Sequence, residues 1–151
     1  MPKPSAGLPT VDIKWLDLEE FEYLCFSLTR ELMTFDEPIP DYSTCDTNLL
    51  DSALSSPKQT FDGKMLYPKF EQQAAILFYS LIKNHPFQNG NKRIAVMSLL
   101  VFLSLNHRWI KITPINLYKI ARYVSESSRE DRKKVIKTLG SQLKVFIMSE
   151  D

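Results

Sequence analysis

The sequence predicts an all-α bundle carrying one short β-hairpin, and three observations lead there. Apolar residues recur at helical spacing from Asp17 to about Phe35, from Pro68 to His85 and from Lys92 to Leu105. One Asp-Gly pair, Asp62-Gly63, lies between two short extended arms and is a hairpin turn signal. A chain of 151 residues, 44% hydrophobic, can bury one core without disulfides or metals, so a single domain is expected.

The elements follow in order. Residues 1–16 are read as an N-terminal arm, loose at least to Thr10 because it is rich in Pro and Gly, and residues 17–148 as the domain. Asp17, with Glu20 three positions on, resembles a capping box. It opens a helix that sets Leu18, Phe21, Leu24, Cys25, Leu28 and Leu32 on one face. Pro38 and Pro40 make Asp36 to Asp46 a loop, after which Thr47 caps a short helix over Asn48 to Leu54. The hairpin occupies about residues 57–66. Pro68 then takes the first position of a helix that stops at His85, because the residue before Pro86 is pushed out of the α region. His107 to Thr113 reads as a short extended segment. Thr113-Pro114 starts another helix, and Ser128 caps a charged one ending near Gly140, with a last helical turn or two to Met148.

Composition narrows the function classes. Lys plus Arg number 19 against 18 Asp plus Glu, so bulk charge gives no push toward nucleic acid or a membrane surface, and anion recognition must be local. Cys25 and Cys45 show no metal-ligand spacing, which fits a reduced, cytoplasmic chain without structural zinc. No signal-type apolar segment opens the sequence, and Lys92, Arg93, Ser98 and Ser104 interrupt the longest apolar run, so no membrane span is expected.

The chemistry concentrates in residues 85–93, His-Pro-Phe-Gln-Asn-Gly-Asn-Lys-Arg. His85 is presented at a helix end, and a new helix starts just after Gly90-Asn91. That helix is apolar almost throughout, yet its first turn holds Lys92 and Arg93. Cations are the wrong sign for a helix N-terminus and cost a few tenths of a kcal/mol each (~0.3) unless an anion sits there. Free amides, the positive dipole end and two cations together describe a phosphate site with a proton acceptor nearby. Taken singly, each residue has a plainer reading. His85 is a helix C-terminal residue favoured by the dipole, Gly90 and Asn91 are turn and N-cap residues, and Lys92 and Arg93 are surface charges. Their juxtaposition turns the reading toward function. Phe87 keeps the plain role, a buried anchor that holds the loop in place.

These nine residues resemble the Fic/Doc family motif, His-x-Phe-x-(Asp/Glu)-(Gly/Ala)-Asn-(Gly/Lys)-Arg, with Asn89 the departure. The Asn-Lys-Arg ending is similar to the Doc, or death-on-curing, branch of toxin–antitoxin toxins. The Fic branch has Asn-Gly-Arg and a further arginine three residues on, where this chain has Val96. The resemblance runs from about Leu49 to Phe146, and the first forty residues carry no recognisable signature.

The resemblance implies a Fic/Doc-like helical bundle in which His85 is the catalytic base and Asn89, Gly90, Asn91, Lys92 and Arg93 bind nucleotide phosphates. Thr60, Phe61, Asp62, Gly63 and Lys64 form a flap that docks the target as an added strand. It implies ATP as substrate and Mg²⁺ as the bridging ion, with Asn89 in place of the family's acidic ligand, a weaker donor for a hard cation. It also implies phosphate transfer to a hydroxyl of a protein target, elongation factor Tu, and a small antitoxin partner. Transfer of AMP, as in the Fic branch, and a catalytically weak nucleotide-binding module are the alternatives. Ser27-x-x-x-Glu31 has the spacing of the family's inhibitory helix, but Leu32 follows where Gly or Asn is needed, and the match is coincidental. His107 reads as a helix-end residue rather than a second base.

Overall fold

The computed structural model describes residues 3–4 and 12–150. Asp17 caps the first helix as its spacing suggests: its side chain accepts from the Glu20 amide at 3.0 Å. Helix α1 (Leu18–Phe21) then passes through a π-helical turn (Glu22–Phe26) into α2 (Ser27–Leu32). The wider turn adds a residue to the helical cycle and rotates the buried face. Phe21, Cys25, Phe26 and Thr29 point inward, whereas Leu28 and Leu32, expected inside, are 38% and 64% exposed. The helix also ends at Leu32, not Phe35. Burial pushes the Cys25 thiol up to about 12, so it stays protonated and unreactive at neutral pH.

Helix α3 (Thr47–Ser55) is capped by Asp46 rather than Thr47, the carboxylate accepting from the Asn48 and Leu49 amides at 3.0 and 3.1 Å. The hairpin pairs β2 (Thr60–Phe61) with β3 (Lys64–Met65), and Asp62 (φ 54°) and Gly63 (φ 75°) have the positive φ values of a two-residue type I′ turn. Pro68 lies just before α4 (Phe70–Lys83) rather than inside it, and the Lys69 amide donates to Gln72 Oε1 at 3.1 Å. Helix α5 (Asn91–Leu105) pairs with α4 as the centre of the bundle. Helices α6 (Pro114–Glu126) and α7 (Arg132–Phe146) close it, and α4 touches α3, α5, α6 and α7. Among the described residues no helix is long and apolar enough to cross a membrane.

Two features depart from the expected bundle. Ser128 caps a 3₁₀ turn (Arg129–Asp131) ahead of α7, and α7 runs through Gly140 to Phe146 without the expected break. The chain then extends into β5 (Ile147–Ser149) instead of a further helical turn. β5 is the middle of a small antiparallel sheet between β4 (Arg108–Ile110), where an extended segment was expected, and β1 (Lys3–Pro4). Strands of two or three residues are too short to leave an alternating pattern in the sequence.

The loose-arm reading of residues 1–10 otherwise falls outside the described residues. The end of the arm is firmly held: Leu16 is buried, Trp15 stacks on Phe102, and Asn106 brackets Lys14 by accepting from its amide and donating to its carbonyl. His107 (φ 57°) stands at the helix end as expected, 79% exposed and 4.0 Å from Glu150.

Candidate functional site

Helix α4 ends in a left-handed residue. Asn84 is its C-cap, and His85 follows with φ 52°, the conformation that commonly terminates helices and that histidine adopts more readily than most non-glycine residues. His85 is thereby turned out and exposed. The loop behind it is tied to α3, since the Asp46 amide donates to the Pro86 carbonyl at 2.8 Å and Asn84 Nδ2 to the Leu49 carbonyl at 3.1 Å.

Phe87 is buried beneath the loop. Its ring is 4% exposed and lies 5.4 Å from Phe26, 6.2 Å from Phe21 and 6.4 Å from Tyr42. The π turn brings Phe26 into that stack. Burial in the same cluster pushes the Tyr42 hydroxyl up to about 12.

Asn91 is not the N-cap. Gly90, with φ 83°, holds that position, and Asn91 is the first helical residue. Its buried amide group instead accepts from Phe87 N–H at 3.0 Å and donates to Phe87 C=O at 2.8 Å, clamping both ends of the loop. No side chain caps α5 among the described residues, so the amides of its first turn keep the positive end of a 15-residue dipole open.

Gly90 is needed twice over. A Cβ there would lie 2.6 Å from Ile39 Cγ1, and the positive φ disfavours any L side chain. Gly90→Ala is expected to cost about 2 kcal/mol in chemical denaturation, and only about 1 in an Ile39→Ala background, where the backbone strain alone remains.

Arg93 departs from the simple phosphate reading. It is 3% exposed, and its guanidinium donates to the carbonyls of Met33 (3.1 Å), Phe35 (2.7 Å) and Glu37 (2.6 Å). Three of a guanidinium's five N–H donors are therefore committed to the loop after α2, so its first role is to fold that loop over the start of α5. Lys92 is half-buried and makes no such hydrogen bonds among the described residues.

Together these groups line a polar cleft of about 260 Å³ that contains His85, Asn89, Gly90, Asn91, Lys92 and Arg93. The loop held by Arg93 also brings Asp36 and Glu37 to its wall, and α6 contributes Tyr118 and Ser125. The sequence did not point to these: Asp36 and Glu37 lie in a proline-flanked loop far from the motif, and only the carbonyl contacts of Arg93 bring them there. The expected flap residues Thr60 to Lys64 are exposed on the hairpin and do not line the cleft. Asn89 lines the cleft, and its Oδ1 is buried without a hydrogen-bond partner among the described residues. Among the described residues no three His, Cys, Asp or Glu side chains group to hold a metal.

A helical bundle that sets an exposed histidine beside an uncapped helix N-terminus and a lysine brings together groups that can attract an anion and accept a proton. The chain belongs to the Fic/DOC family: the sequence model of that family matches residues 15–103, more than half of the chain. The match begins at Trp15, so the α1–α2 segment, which carried no recognisable signature, lies within the family region. The chain is also 41% identical over 61 residues to Toxin Doc of Mycolicibacterium smegmatis (strain ATCC 700084 / mc(2)155), an alignment covering 40% of this chain and 47% of that protein. The aligned part thus spans about half the length of the relative. No solved structure matches the chain.

Proposed function

We propose that this protein is a Doc-like toxin that transfers the γ-phosphate of ATP to a hydroxyl side chain of elongation factor Tu in the cytoplasm, held in check by a small antitoxin. The observation that carries this reading is the placement of exposed His85 and Lys92 in one cleft with the open amides at the start of α5. A phosphate seated on those amides lies at the positive end of α5, with Lys92 to neutralise it and His85 at its edge.

In this reaction the target hydroxyl oxygen attacks the γ-phosphorus, the bond from that phosphorus to the β,γ-bridging oxygen breaks, and ADP leaves. His85 accepts the hydroxyl proton through an imidazole nitrogen as the new O–P bond forms. Asn91 and Phe87 hold the loop rigid, and Arg93 holds the facing wall, so the amides do not move during transfer. Mg²⁺ would be carried by ATP oxygens, with Asn89 Oδ1 as the protein group to hold it, and would supply neutralisation of phosphate charge. The exposed edges of β2 and β3 present the backbone groups with which the hairpin takes up the target chain.

Lys92 in place of glycine, and Val96 in place of the Fic-branch arginine, favour phosphate over AMP transfer. Label transfer decides between them. Incubation with γ-labelled ATP should mark the target and α-labelled ATP should not; the reverse pattern assigns AMP transfer, and no label from either assigns a weak nucleotide-binding module.

A further inference from the structure

A second concavity, about 520 Å³, lies between α7 and the segment that joins the hairpin to α4. It stands at the first turn of α4, about 20 Å along that helix from His85. Lys69, Arg132, Lys133, Lys137 and Lys144 line it, and the apolar surfaces of Leu66, Tyr67 and Ile136 share its wall. Its one carboxylate, Glu71, is buried and interacts electrostatically with Arg108. Among the described residues no acidic side chain pairs with any of the five cations. A basic helical face is ordinarily a solvated surface, but this one is concave, contains apolar groups and sets a single buried carboxylate against five cations.

Gly140 supplies an independent observation. It lies in the middle of α7, where glycine costs roughly 0.5–1 kcal/mol against alanine. A Cβ at this position would meet nothing within 4 Å, so no packing inside the fold requires its absence. Gly140 lines the groove, on the same stripe of α7 as Lys133, Ile136, Lys137 and Lys144. Gly140 is itself buried, at the floor of the groove, and the missing side chain leaves open space above it.

We infer that this groove binds an acidic peptide segment of a partner protein, with carboxylates meeting the lysines and apolar side chains lying along Leu66, Tyr67 and Ile136 toward Gly140. A peptide is favoured over a nucleic acid because the groove mixes apolar surface with cations and the chain as a whole has a formal charge of only +1. The inference does not rest on the transfer reaction, since the groove and the His85 cleft share no lining residue.

The test is fluorescence anisotropy on the full chain with a labelled peptide of repeated Glu-Glu-Leu, its Gln-Gln-Leu counterpart and an oligothymidylate. Binding of the acidic peptide alone is expected. It should weaken roughly tenfold in Lys133→Glu/Lys137→Glu, which removes charge. A similar loss is expected in Gly140→Leu, which fills the groove without touching charge, and both variants should melt no lower than the parent chain. Tighter binding of the oligothymidylate, equal binding of the glutamine peptide, or acidic-peptide binding unchanged in the variants would overturn the inference.

Discussion

His85→Ala should abolish growth arrest when the protein is expressed without an antitoxin, and should reduce label transfer by roughly 10²- to 10⁴-fold, the usual contribution of a positioned base. The fold should survive. His85 is exposed, and no structural hydrogen bond of its side chain supports the loop among the described residues. The circular dichroism melt should therefore stay within about 1 kcal/mol of the parent, which separates lost chemistry from lost structure. His85→Gly sharpens the same test, because glycine accepts the φ of 52° without strain while removing the imidazole. Equal toxicity of either variant would remove His85 from the reaction.

Phe87→Ala is expected to give the largest loss of stability. Its ring is buried against Phe21, Phe26 and Tyr42, and truncation leaves a cavity beneath the loop that carries His85 and Gly90. The cost should be roughly 3–5 kcal/mol, seen as a fall of about 10 °C in melting temperature. Activity measured well below the new midpoint should fall as well, because the Asn91 clamp grips the backbone of Phe87 and moves with it. Phe87→Leu, which keeps most of the volume, should recover more than half of both. A variant that loses stability but keeps full transfer would show that the anchor serves the core alone.

Much of this site was legible in the chain because its determinants are local. Asn84-His85-Pro86 specifies a helix stop, Gly90 a left-handed turn, and residues 85–93 fall within a single loop and one helical turn. The same holds for the hairpin, whose Asp62-Gly63 pair dictates its turn, and for Asp17, which finds its amide partner three residues away.

What the sequence hid depends on distant or unusual backbone. Arg93 spends its donors on main-chain carbonyls 56 to 60 residues away, and carbonyls carry no residue-type signal. The π turn at Glu22–Phe26 shifts the buried face by a residue, so a face drawn at ideal helical spacing placed Leu28 and Leu32 inside. Gly140 suggested an end to α7 because glycine usually marks one, but Leu139 and Leu143 are buried on either side and tertiary packing carries the helix through. β5 and its neighbours are stabilised by pairing between segments far apart in the chain, which short-range periodicity cannot register.

The most direct test of the proposed reaction is intact-mass and peptide mass spectrometry of purified elongation factor Tu after incubation with this protein, ATP and Mg²⁺, alongside His85→Ala. A single added phosphate on a hydroxyl side chain, absent with the variant, is the predicted result. An AMP adduct, or unmodified elongation factor Tu with the active protein, would contradict it.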